Sequence, residues 1–321
     1  MPDAHVIHRY LSRYLSLSTL ILVLGGCGSI HQTTQGVPAI EQALLQQETF
    51  TFTRLAPQRY TSLDWPEVLN AQVLLPNTPG VERRPAALIV HGGGWRNRGP
   101  ADMEGIAEQL AQQGYVTVNI EHRFSPEYRF PEQLHDLQQA MAWLHSNADQ
   151  WQVDVERIVG VGFSSGAHLI SLLALSGSEG PLAAPHGGEH TRLAAVLAGG
   201  LPSDLLKFND GRLVVDFIGG TRAEKPEAYT LASPARQITD QAPPFFLFHG
   251  SWDQLVPVDH ATDFYQTLNA QGVESELYLQ RGRGHFASFL FRRSAIDAGI
   301  AFLNRQVQPD SKSRQKLYPS G

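Results

Sequence analysis

The stretch Arg157–Ile170 constrains this chain more than any other. An apolar, β-rich run ends abruptly in Gly162-x-Ser164-x-Gly166, and an apolar helix-like run follows at once. The pattern predicts a strand, a sharp corner and a helix, with Ser164 at the apex. Gly162 and Gly166 flank that apex because so tight a corner brings strand and helix backbones too close for a Cβ. The corner lifts the Ser164 hydroxyl out of the fold, within reach of a base and a carbonyl, so Ser164 is the candidate nucleophile. A dinucleotide site competes for the same residues, since Gly160-x-Gly162 follows a strand and opens a helix. That fingerprint needs its third glycine where this chain has Ser165.

What surrounds the corner is an α/β pattern. Ala86–Val90, Tyr115–Ile120, Leu193–Ala198, Pro244–Phe248 and Ser275–Leu279 are short β-like runs, several continuously apolar, as strands buried on both faces of a parallel sheet must be. Between them fall helical patterns at 101–113, 131–146 and 164–175, with a last one at about 287–304. Alternation of this kind implies a mostly parallel sheet with right-handed crossovers. Residues 201–243 break the rhythm: Leu205, Phe208, Leu213, Phe217 and Tyr229 are apolar without strand alternation. A helical insertion over the C-terminal edge of the sheet is expected there, where it would shape a pocket together with the loop 121–131.

The loop after the first of these strands is His91-Gly92-Gly93-Gly94-Trp95. Consecutive glycines strip it of side chains and let backbone N–H groups point into a site, as acyl transfer requires where charge grows on a carbonyl oxygen. A phosphate cradle would need a Lys-Ser/Thr pair, which does not follow. Asp253, in the loop after Pro244–Phe248, is the candidate carboxylate that would hold an imidazole in one tautomer. His249 ends a buried strand and is read as a core histidine, and Asp259 as a helix cap. His285 sits in the glycine loop Gly282–Gly284 ahead of the last helix and is the candidate base. Each member follows a predicted strand, in the order Ser, Asp, His. Asp136 is read as a solvated or structural carboxylate. His186 and His190 share a loop without carboxylate spacing that would support a metal, and neither metal nor cofactor is expected.

Together these motifs resemble the α/β-hydrolase superfamily over roughly residues 65–305. More narrowly they are similar to the esterase/lipase branch with an HGGGW oxyanion loop, including hormone-sensitive-lipase-like and xylan-esterase-like carboxylesterases. The resemblance implies an α/β-hydrolase fold with Ser164 as nucleophile, Asp253 as acid and His285 as base. The oxyanion hole would be the N–H groups of Gly93, Gly94 and Ser165. The activity implied is cleavage of small or short-chain esters, such as acetylated sugars or xylan. An arylformamidase would share every motif, and a non-catalytic binding lipoprotein would be expected to have lost a member of the triad.

Composition adds the compartment. A net charge of -6 with no basic cluster argues against a nucleic-acid partner. The single cysteine, Cys27, closes an N-terminal segment in which Arg9 and Arg13 precede the apolar run Leu15–Leu24. This is a secretory signal, too short to span a bilayer. Leu24-Gly25-Gly26-Cys27 resembles the lipobox of bacterial lipoproteins, in which the cysteine carries the lipid. Gly28 in place of Asp points in that family to the outer membrane, facing the periplasm or the cell surface. The expected organisation is a signal peptide at 1–26, a tether at 27–47, the hydrolase domain at 48–305 and a disordered tail at 306–321. A lipid anchor is the only membrane attachment expected, and oligomeric state is left open.

Overall fold

The computed structural model describes residues 28–34, 49–208 and 210–307. The signal segment, Cys27, most of the tether and the tail beyond residue 307 lie outside the described residues. Among the described residues no helix is long and apolar enough to cross a membrane.

The strands, in chain order, are β1 (Ser29–Thr33), β2 (Phe52–Arg54), β3 (Gln58–Arg59), β4 (Asn70–Pro76), β5 (Arg84–Val90), β6 (Val116–Ile120), β7 (Val153–Phe163), β8 (Ala195–Gly199), β9 (Phe245–Gly250) and β10 (Ser275–Gln280). They form one sheet in the order β1-β10-β9-β8-β7-β5-β6-β4-β2, with β3 also pairing β4. β6, β5, β7, β8, β9 and β10 run parallel, and β4 and β1 lie antiparallel on either side of that block. This is the α/β-hydrolase fold.

The continuous apolar runs are explained by the two layers that cover the sheet. Successive side chains point to opposite faces. Leu88, Val90, Val196 and Leu247 pack with helices α2 (Glu132–Ser146), α4 (Ser165–Ser176) and α7 (Asp259–Ala270). Ala87, Ile89, Leu197 and Phe246 pack on the other face with α1 (Glu104–Gln112) and α9 (Arg293–Val307). Between these lie α3 (Ala148–Trp151), α5 (Arg212–Ile218), α6 (Pro226–Leu231) and α8 (His285–Leu290). β6 lies on one side of β5 and the chain then returns past it to β7. A reversal of strand order opens a crevice at the strands' C-terminal ends, where ligand sites collect.

Three expectations are corrected. Residues 29–33 are not tether: as β1 they pair with β10 from Ser29↔Gln280 to Thr33↔Glu276. His31 Nε2 lies 2.7 Å from Glu276 Oε2, and Thr34 both donates to and accepts from the Ser275 backbone. The last helix is two, α8 and α9, with the break at Phe291–Arg292, and its end at Val307 takes in the first residues assigned to the tail. Asp259 does not cap α7 with its side chain; it meets Lys207 Nζ at 2.9 Å instead.

Candidate active site

Parallel pairing brings the candidate residues to one edge of the sheet. Ser164 follows β7 with φ 55° and ψ -125°, a backbone that L-residues rarely adopt. The surroundings enforce it. The Ser164 N–H donates to the Gly199 carbonyl at 2.8 Å, and its carbonyl accepts from the His168 N–H at 3.0 Å. A Cβ on Gly162 would sit 2.5 Å from the Gly166 backbone, so a side chain there would force the corner open.

β9 and β10 pair in register from Ser275↔Phe245 to Gln280↔Gly250, which sets the loops after them side by side. In the β9 loop, Asp253 Oδ1 accepts from the N–H groups of Leu255 at 3.0 Å and Val256 at 2.8 Å. Oδ2 is left facing His285 Nδ1 at 2.6 Å. His285 opens α8 in the β10 loop, and its Nε2 lies 2.9 Å from Ser164 Oγ. Nδ1–H therefore donates to the carboxylate, and Nε2 accepts the serine hydroxyl. Burial opposes the charge on Asp253, but hydrogen bonds from His249 and His285, the nearby imidazole charge and the Val256 N–H hold its carboxyl well below the usual carboxylate range. His249 is a buried core residue, as read from sequence, with Nε2 2.8 Å from the Val256 carbonyl.

The glycine loop follows β5. Gly93 and Gly94 have φ of 121° and 62°, and Trp95 follows in the same left-handed region at 60°. A side chain on Gly93 would overlap the Asn97 carbonyl, so only glycine fits there. Neither Gly93 nor Gly94 donates its N–H to a protein acceptor among the described residues. Ser165 is the first residue of α4, where a helix N–H has no partner within the helix. Its partial positive end suits negative charge beside Ser164.

The sequence reading did not anticipate what holds this loop. The Trp95 ring stacks on Phe217 of α5, with centroids 4.5 Å apart, and its Nε1–H donates to His168 Nδ1 at 3.2 Å. The opposite nitrogen of His168, Nε2, donates to the Ala232 carbonyl at 2.6 Å, just past α6. His168, fully buried on the helix that follows the serine, thus ties the glycine loop to the 201–243 insertion. Burial pushes its pKa down to about 4, with the Ala232 hydrogen bond opposing the shift, so it is a neutral imidazole. Its signal in the sequence was slight, a polar residue two places past Gly166 in an apolar helix. His91 stacks on His122 with centroids 4.5 Å apart and an interplanar angle of 10°. Burial, reinforced by the neighbouring His91, brings the His122 pKa down to about 3.

Other candidates are placed away from the serine. Asp136 is buried, not solvated: it accepts from Arg123 Nε and Trp65 Nε1, each at 2.8 Å. Burial outweighs these contacts and pushes its pKa up to about 6. His186 packs its ring on Trp65 and His135, and His190 lies against His145.

Fold and geometry define the α/β-hydrolase class. Within it the chain belongs to the BD-FAE family, whose model matches residues 72–268 and so stops short of His285. Esterase LipC of Mycobacterium tuberculosis is 32% identical over 212 residues, covering 63% of this chain and 52% of its own length. Isoprenylcysteine alpha-carbonyl methylesterase ICME of Arabidopsis thaliana is 27% identical over 64% of this chain and 51% of its own. The chain thus spans about half the length of the curated relatives it matches. Among solved structures, a truncated carbohydrate esterase from gut microbiota superposes with a TM-score of 0.70 at 23% identity, covering 82% of this chain and 99% of that one. Esterase 2 of Thermogutta terrifontis, solved with propionate bound, gives 0.67 at 22% identity over 80% and 96%.

Proposed function

We propose that the chain is a serine carboxylesterase that cleaves small or short-chain esters through an acyl-enzyme. The observation that carries this reading is the unbroken relay from Asp253 Oδ2 through both nitrogens of His285 to Ser164 Oγ, at 2.6 and 2.9 Å. In the first step His285 Nε2 takes the hydroxyl proton as Ser164 Oγ bonds to the ester carbonyl carbon. The oxyanion that forms is held by the N–H groups of Gly93, Gly94 and Ser165, fixed before the reaction starts. His285 then gives its proton to the departing alkoxide, and water, deprotonated by the same nitrogen, releases the acid. Asp253, ionised throughout, stabilises the imidazolium in both steps.

Likeness to a carbohydrate esterase, and to an esterase solved with propionate bound, supports short acyl groups on sugars. Leu213 of the insertion stands against Gly94, close enough to bound the acyl space. Ser164→Ala is expected to lower kcat by about 10⁴-fold or more while leaving the unfolding transition in place. A folded variant that still turns over p-nitrophenyl acetate at the native rate would overturn the assignment. Formyl amides assayed beside acetyl esters would separate an amide hydrolase from an esterase. Export as an outer-membrane lipoprotein through Cys27 belongs to the same reading; it rests on the lipobox-like Leu24–Cys27. Loss of labelling by a fatty-acid probe in Cys27→Ser checks it.

A further inference from the structure

On the side of the mouth formed by the Asp253 and His285 loops, the molecule exposes large apolar side chains that nothing in the fold covers. Trp252 and Phe286 are each 73% exposed, Leu290 71% and Phe291 59%. Trp252 immediately precedes Asp253, and Phe286 immediately follows His285. The Trp252 N–H donates to the Arg283 carbonyl at 3.0 Å, so the two loops form one surface.

That surface is also cationic, against the expectation of no basic cluster in a chain of net charge -6. From residue 281 to residue 294 there are four arginines, Arg281, Arg283, Arg292 and Arg293, and no acid. None of the four forms a salt bridge among the described residues. Arg283 lies over the Phe291 ring and Arg292 over Phe289, with centroid distances of 5.4 and 4.1 Å. The acids of neighbouring elements are mostly engaged elsewhere. Glu276 is bound by His31 and Arg305, Glu104 by Arg54, and Asp102 by Arg98. Asp297, one turn beyond Arg293, has its carboxyl pushed up by burial, with the Arg293 charge opposing the shift.

A second observation says what covers it. The Arg281 N–H donates to the Gly28 carbonyl at 3.2 Å, because β1 enters the sheet beside the end of β10. Gly28, which follows the candidate lipid-bearing Cys27 in sequence, therefore stands at this rim. Where the chain enters the fold, exposed aromatic rings thus stand beside arginines that have no acid partner in a salt bridge among the described residues, the combination that seats a protein on anionic lipid. We infer that this rim docks on an anionic phospholipid surface, so that the mouth beside Ser164 opens at the membrane and not away from it. The inference does not depend on Ser164 being a nucleophile.

Trp252 supplies its own probe, since Trp95 and Trp151 are buried and Trp65 and Trp143 are partly so. The full chain is bound to vesicles of phosphatidylglycerol and phosphatidylethanolamine whose acyl chains carry bromine, and tryptophan quenching is read. Quenching is expected in the native protein and should largely disappear in Trp252→Phe. Arg281→Glu/Arg293→Glu, two exposed side chains outside the proposed machinery, should weaken the quenching-defined partition at least tenfold, at about fivefold per arginine. Turnover of a soluble ester, if the native chain has it, should be unchanged in that variant. Equal quenching in the double variant, or equal quenching on phosphatidylcholine, would overturn the inference. Displacement from vesicles by soluble polygalacturonate at low concentration would overturn it too, and would assign the rim to an acidic polysaccharide.

Discussion

Aromatic side chains stand on both sides of Ser164, and the two sides use them in opposite ways. On the glycine-loop side Trp95, Phe217 and Phe130 are packed into the insertion, and every side-chain polar group of the Trp95–His168 pair has a partner. On the side of the Asp253 and His285 loops Trp252 and Phe286 face solvent, while Asp253 and His285 themselves are buried. The first arrangement is a wall that fixes backbone N–H groups in space. The second is a rim that protects a buried pair and keeps an apolar surface free. Preorganisation belongs to the wall, where a shift of about 1 Å in a donor is enough to cost about a hundredfold in rate.

Truncation at the centre of the wall should break the comparison most visibly. Trp95→Ala removes a stacked, hydrogen-bonded indole from the core and is expected to cost about 3–5 kcal/mol of stability in chemical denaturation. His168→Leu leaves the Trp95 N–H and the Ala232 carbonyl unpaired, at about 1–3 kcal/mol for each buried group. As a positioning residue, His168 should also lower kcat by about 10- to 100-fold with KM little changed. His168→Gln, which keeps one donor and one acceptor, should recover part of both losses; failure to recover kcat would mark the residue as merely structural.

Acid should attack the wall before the rim. His168 and His122 are neutral in the fold, with pKa values of about 4 and about 3, but take up protons near 6.5 once unfolded. Their contribution is therefore complete above pH 6.5 and is lost as pH falls toward the folded values. At pH 5 His168 alone should have given up about 2 kcal/mol relative to neutral pH. Melting curves between pH 7 and 5 should show that decline, and His168→Gln should flatten part of it. The smallest effect belongs to the rim: Trp252→Ser and Phe286→Ser should each change stability by no more than about 0.5 kcal/mol. A larger loss in denaturation would mean that these rings are packed, and the contrast with the wall would fail.

Where the sequence was legible, local chemistry and chain order coincided. Ser164, Asp253 and His285 each follow a strand at the carboxyl end of a parallel block, so the strand pattern alone placed them on one edge. The glycine run before Trp95 was readable because a side-chain-free loop has few other uses. What escaped depended on partners far along the chain. Ser29–Thr33 has no apolar alternation, and it is a strand only because β10 offers an open ladder and Glu276 meets His31. His168 acquires its role only from Trp95, 73 positions earlier, whose Nε1–H it accepts. Asp136 sits on what looked like a polar helix face, and only Arg123 folding over it makes that face interior. The break between α8 and α9 carries no Gly or Pro to announce it.

The short N-terminal strand has a consequence for self-association. An unpaired β10 would present the backbone of Ser275–Gln280 as a template to which any extended peptide could add. Ser29–Thr33 occupies that template from within, and its own outward edge is short and polar. A protease clipping just after Thr34 would unmask the ladder, and neighbouring copies would then join sheet to sheet.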